Sequence, residues 1–224
     1  MYKILKKSML FFSLFILSLN AYSQKDVTQF LGIPVDGSKS EMIQMLKVKG
    51  YTNSSYNKDV LVGEFNGLDV NIYIVTNNNK VCRIMVSDVN SMNETDVRIK
   101  FNKLLQQFQS NKKYLSLPES KVTKYYIPED EDVSYELSVK NKRYEAIFYQ
   151  KSTDYDKLET EMINILKKGT LNETDKERID EITKKSIEDS FKKVVWFMIN
   201  ENYGKYSINI YYDNEYNRAN GEGL

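Results

Sequence analysis

The sequence predicts an α+β protein, an antiparallel β-sheet or sheets with helices packed on one face. Three observations predict it. Apolar residues recur with a helical period in some segments and alternate with polar residues in others. Turn pairs such as Asn66-Gly67 separate the alternating runs, and the connections within each run of strands are too short for parallel crossovers. The order helix-then-strands occurs twice, which allows two halves, 24–90 and 91–213, within one domain spanning 24–213, although no residue-level self-similarity accompanies it.

Residues 1–23 read as a secretory signal peptide. Lys3, Lys6 and Lys7 precede an apolar stretch from Met9 to Leu19, and Ala21 and Ser23 fit a cleavage site before Gln24. The apolar run is shorter than the ~20 residues a transmembrane helix needs, so no membrane anchor is expected after cleavage. Ser38 and Glu41 form a capping box ahead of Met42, Ile43 and Leu46, with Gly50 as the stop, which predicts a short helix. Strands follow at 61–65, 68–76 and 80–88, the first two joined by Asn66-Gly67. Ser91 and Glu94 read as a second capping box, and Val97, Phe101, Leu104, Leu105 and Phe108 share one face of a helix over 94–109. Residues 121–127 read as a strand, and 132–139 with 143–150 as a hairpin around Asn141-Lys142, because Val133, Tyr135, Leu137 and Val139 alternate with polar neighbours. A helical pair over 155–167 and 174–189 and a last hairpin, 194–200 with 206–213, complete the domain. The polar stretch 214–224 is expected to be a flexible tail with nothing to bury.

Composition excludes much chemistry. The chain has no histidine, which removes Ser-His-Asp and Cys-His catalysis and histidine-ligated metals together. Cleavage of the signal removes three lysines and no carboxylate, so a formal charge of +1 becomes −2, and neither value points to nucleic acid. Cys82, the single cysteine, cannot form an intramolecular disulfide and reads as packing. The acidic run Glu129 to Asp132 reads as a solvated loop, the alternative being an oxygen-rich calcium site. Asn53, Asn93 and Asn172 each begin a glycan-acceptor tripeptide, a pattern frequent by chance in an Asn-rich chain. Neither cofactor nor metal is expected, and the reading leans away from an enzyme.

Strand parity directs attention to the far side of the sheet. If the aliphatic set faces the helices, Tyr73, Val75, Ile147, Tyr149 and Tyr211 point away from them, and Trp196 and Met198 join them from a strand apolar on both sides. Tyr73, Tyr149, Trp196 and Tyr211 are therefore the candidate partner-binding residues, unless a second helix layer or the tail covers that face. The stretches from Phe30 to Glu41, from Gly63 to Val70 and from Tyr211 to Leu224 resemble a group of uncharacterised exported proteins of Gram-negative bacteria. More distantly, the helix followed by antiparallel strands is similar to outer-membrane-assembly lipoproteins and the β-lactamase-inhibitor-protein fold, though the lipoproteins' lipid-attached cysteine is absent. The resemblance implies a periplasmic or extracellular protein and supplies no catalytic motif. Two functions stand as expectations: a non-catalytic protein-binding or inhibitor-like module with a protein partner in the envelope, or a polysaccharide-binding or carboxylate-based carbohydrate-handling protein.

Overall fold

Three tight turns organise the main sheet in the computed structural model, which describes residues 26–219. Strand β4 (Val60–Phe65) turns through Asn66 and Gly67 into β5 (Leu68–Asn77), β5 turns through Asn78 and Asn79 into β6 (Lys80–Asp88), and β8 (Val194–Asn202) turns through Tyr203 and Gly204 into β9 (Lys205–Asp213). All six turn residues have positive φ, the type I′ geometry whose twist matches that of paired strands. With β3 (Thr52–Asn53) and β7 (Glu145–Tyr149) these form one antiparallel seven-stranded sheet in the order β3-β4-β5-β6-β9-β8-β7. A separate two-stranded ribbon, β1 (Gln29–Phe30) and β2 (Ile33–Pro34), precedes it.

The fold class is α+β, and a helix precedes each of two strand sets. Helix α1 (Lys39–Val48) leads into β3–β6 and contacts β5 and β6, while α2 (Glu94–Ser110) precedes β7–β9 and contacts β8 and β9. The two strand sets meet where β6 pairs with β9. The capping box of α1 forms as its sequence requires, with Ser38 accepting from the Glu41 N–H. Helix α2 is capped by Asn93 rather than Ser91; the Glu94 carboxylate instead accepts from the Val133 N–H at 2.7 Å. Beneath both helices lies one core. Phe101 meets Phe197 edge-on at 4.9 Å, and Phe108 stacks on Phe148 at 4.9 Å, joining α2 to β7 and β8. Each such phenylalanine contributes about 1.5–3 kcal/mol by leaving water.

Two expected strands are helices. Residues 119–125 form α3 (Glu119–Tyr125), begun at Pro118, and Val122 and Tyr125 pack on the core at helical spacing. Residues 133–138 form α4 (Val133–Ser138), so the expected hairpin around Asn141-Lys142 is absent. A period of two also places Val133 and Leu137 four residues apart, and Asp132 decides for the helix by accepting from the Tyr135 N–H at 2.8 Å. Helices α5 (Tyr155–Leu166) and α6 (Glu173–Phe191) fill the connection between β7 and β8 and pack chiefly on each other, with Leu158, Ile165 and Ile182 forming a small core of their own.

The expected flexible tail, 214–224, is corrected over its first residues, while 220–224 lie outside the described residues. Asn214 is fully buried, its side chain donating to the Val35 carbonyl at 2.7 Å, and Asn217 donates to Asp36 and to the Val81 carbonyl, both at 2.8 Å. Residues 215–217 form a short 3₁₀ turn. Near each end of the sheet a tyrosine hydroxyl bonds to the main chain. The Tyr51 hydroxyl donates to the Glu64 carbonyl of β4 at 2.9 Å, and the Tyr125 hydroxyl is hydrogen-bonded to the backbone of Ile147 in β7. No helix among the described residues is long and apolar enough to cross a membrane. The expected signal peptide, residues 1–23, lies outside the described residues.

Candidate binding face

A β-bulge sets up the site. Val75 pairs with Arg83 and Thr76 with Val81, leaving Cys82 as the extra residue in β6. Strict alternation would put Val81 and Arg83 on the same side. The extra residue lets Val81 and Ile84 both face the core and turns Arg83 outward, where it lies directly across from Asp213 of β9. Burial pushes the Cys82 thiol up, and its Sγ donates to the Val75 carbonyl at 3.5 Å, which suits packing rather than reactivity.

Asp213, 1% exposed, is the hub of the outer face. Arg83 grips it with two hydrogen bonds, at 2.5 and 2.8 Å, and the Trp196 indole N–H donates to it at 2.9 Å. Trp196 pairs with Tyr211 across β8 and β9, and their rings stack with centroids 4.0 Å apart. The Arg83 guanidinium stands 5.4 Å from the Trp196 ring centroid and 5.1 Å from that of Tyr211, adding cation–π attraction. Hydrogen bonding to Asp213 also holds the Arg83 pKa above its ordinary value. Trp196 is thereby held by a charge-assisted hydrogen bond to Asp213 and by stacking on Tyr211.

Register places each of the four expected residues. Tyr73, Met85, Tyr211, Trp196 and Ile147 form one row across β5, β6, β9, β8 and β7. Trp196 and Tyr211 are adjacent, and Tyr73 is separated from them by Met85. Tyr149 lies outside the row, opposite Val194, with its ring edge-on to Phe191 at 4.9 Å. Tyr73, Tyr149 and Trp196 are half-buried, whereas Tyr211 is 9% exposed and serves as the backing of Trp196 rather than as free surface. Met85 follows from the parity argument. Arg83 and Asp213 do not, because a bulge and a pairing 130 residues apart leave no local signal.

The other candidates have structural duties. Glu131 accepts from Lys142 and from the buried Tyr144 hydroxyl; burial alone would raise its pKa, but these partners hold it below the ordinary value. Burial and the adjacent Glu131 carboxylate drive Tyr144 the other way, far upward. Asp132 caps α4, and the Glu129 carbonyl accepts from Arg98 at 2.5 Å. Among the described residues no group of His, Cys, Asp or Glu side chains is arranged to hold a metal ion. Asn93 and Asn172 cap α2 and α6, and Asn53 donates to the Lys58 carbonyl at 2.7 Å.

An antiparallel sheet with its helices on one side and a pre-arranged aromatic face on the other defines a structural class, α+β, and no more. Compared with known protein families, with curated proteins and with solved structures, the chain matches none.

Proposed function

We propose that the chain is an exported, non-catalytic binding module that takes a protein partner, as an inhibitor-like protein does, on the outer face of its sheet. The observation that carries this reading is the row from Tyr73 through Met85, Tyr211 and Trp196 to Ile147, with Trp196 locked by Asp213 and Tyr211. Aromatic side chains held in one rotamer lose little entropy on association, and sulfur-bearing and aliphatic neighbours supply adaptable apolar area. Against a sugar ligand stands the covering of one face of Trp196 by Tyr211, together with the commitment of Asp213 to Arg83 and the indole. Export rests on the basic, apolar and small-residue order of residues 1–23. Intact mass from the native host, with the chain beginning at or near Gln24, is the expected result for that part.

The face is tested with Met85→Arg, which adds a charge within the row, between Tyr73 and Tyr211, without entering the core. Trp196 fluorescence in the isolated chain should be quenched by acrylamide, and should become shielded in the complex purified from envelope extract. Met85→Arg should keep the melting temperature and lose that complex. A complex that forms equally well with the variant, leaving Trp196 open to quencher, would sink the proposal.

A further inference from the structure

We infer that the inner side of the sheet carries a second site, for a small amphiphile with an apolar body and one anionic head. Two cavities of about 370 and 510 Å³ adjoin there, sharing Leu31, Phe65, Asn111, Tyr114 and Tyr212 as a common wall. Each lies in the size range of small-molecule sites. Their chemistry differs. The smaller is lined by Leu104, Phe108 and Ile210, with a floor on β9 and a side wall on α2, and also by the polar Glu64, Asn66 and Gln107. The larger is lined by Lys112, Lys113, Lys151 and Lys193.

Counting charges shows which lysines are free to meet a ligand. Lys193 is paired with Asp26 at 2.5 Å, and Lys151 with Asp156 at 3.2 Å. Lys112 and Lys113 have no carboxylate partner among the described residues, so the larger cavity carries uncompensated positive charge beside one whose wall is largely, not wholly, apolar. At the back, the Gln150 amide donates to the Gln29 carbonyl at 2.7 Å and lies 3.4 Å from the Tyr114 hydroxyl, a built polar wall rather than an open surface.

Leu31 stands between the two chambers. It occupies the turn between β1 and β2 with φ of 53°, followed by Gly32 at 79°, a type I′ position that favours asparagine or glycine and strains a leucine. Its side chain, 37% exposed, lines both cavities. Strain held at a ligand-sized opening is the kind that functional sites retain. An apolar chain would enter beneath Leu31, and its head would rest on Lys112 and Lys113, which as flexible point charges accept a carboxylate or a phosphate monoester.

The probes are decanoate, decyl phosphate and decanol, titrated by calorimetry into the full exported chain below their micelle concentrations. One anionic amphiphile should bind per chain, with decanol at least about tenfold weaker. Whichever of decanoate and decyl phosphate binds more tightly identifies the head. Lys112→Glu with Lys113→Glu should reduce that binding about tenfold while leaving the melting temperature of the free protein unchanged. Leu31→Gly, which suits the backbone, should keep or raise the melting temperature and still weaken binding. Met85→Arg, on the opposite face of the sheet, should change neither. Failure of both anions to bind, equal binding of decanol, undiminished binding by the lysine variant, or loss of binding in Met85→Arg would each overturn the inference.

Discussion

Asp26 ties three segments together: it accepts from the Lys193 ammonium at 2.5 Å, the Thr153 N–H at 2.7 Å and the Thr153 hydroxyl at 3.0 Å. Burial pushes its carboxyl up, but these donors and the Lys193 charge outweigh that and hold it below 3.8. The stabilisation is therefore present above the ordinary carboxylate value and is lost as pH falls through the lowered one. Asp26→Asn should flatten stability against pH in that acid range. Near neutrality it should cost about 1–3 kcal/mol, less than a fully buried pair because Asp26 still meets water. Denaturant titrations from pH 7 to pH 3 would show it, and an unaltered acid limb would remove Asp26 from the account. Gly63 presents another single-atom constraint, since a Cβ there would lie 2.6 Å from Cδ1 of the Tyr51 ring. Gly63→Ala should destabilise by about 1–3 kcal/mol through overpacking, seen as a lower denaturation midpoint at unchanged slope.

Elements differ in how plainly they are written. The I′ turn at Asn66-Gly67 is legible because positive φ at two successive positions restricts the residues allowed, and a Cβ at Gly67 would meet nothing within 4 Å. Gly67→Val should thus cost roughly 1 kcal/mol or more from backbone strain alone, and an unchanged melting midpoint would show that the turn relaxes freely. Helix α4 is illegible for the opposite reason. Seven residues of alternation serve a strand face and an i, i+4 helix stripe equally, and only the Asp132 cap separates them. The outer face divides in the same way: parity yields Tyr73, Trp196 and Tyr211, while the Arg83–Asp213 clasp depends on a bulge and on distant strands meeting. Helices α5 and α6, with their small separate core, should exchange amide hydrogens before β5, β6, β8 and β9 do, as followed by mass spectrometry.

At the scale of the molecule, the N-terminal ribbon, the end of β5, the start of β6 and the chain end are sewn together by asparagines. Asn214 and Asn217 donate to Val35, Asp36 and Val81, and Asn77 donates to the Asn217 carbonyl at 3.0 Å. Replacing Asn214 and Asn217 together by Ala should therefore cost about 2–4 kcal/mol and lower the melting temperature by several degrees, as followed by thermal denaturation. The two tyrosines at the sheet margins have a different consequence. Tyr51 occupies a carbonyl on one outermost long strand and Tyr125 a backbone group on the other, while β3 contributes only two residues beyond β4. Strand addition at either border would meet a main-chain group that a tyrosine already holds, and at β7 a second group already engaged, because the Leu115 N–H donates to the Tyr149 carbonyl at 2.9 Å. A partner taking the proposed site on the outer face would then be held by side chains, and exchanging Tyr73, Met85 or Ile147 would retune that grip without touching the hydrogen-bond ladder.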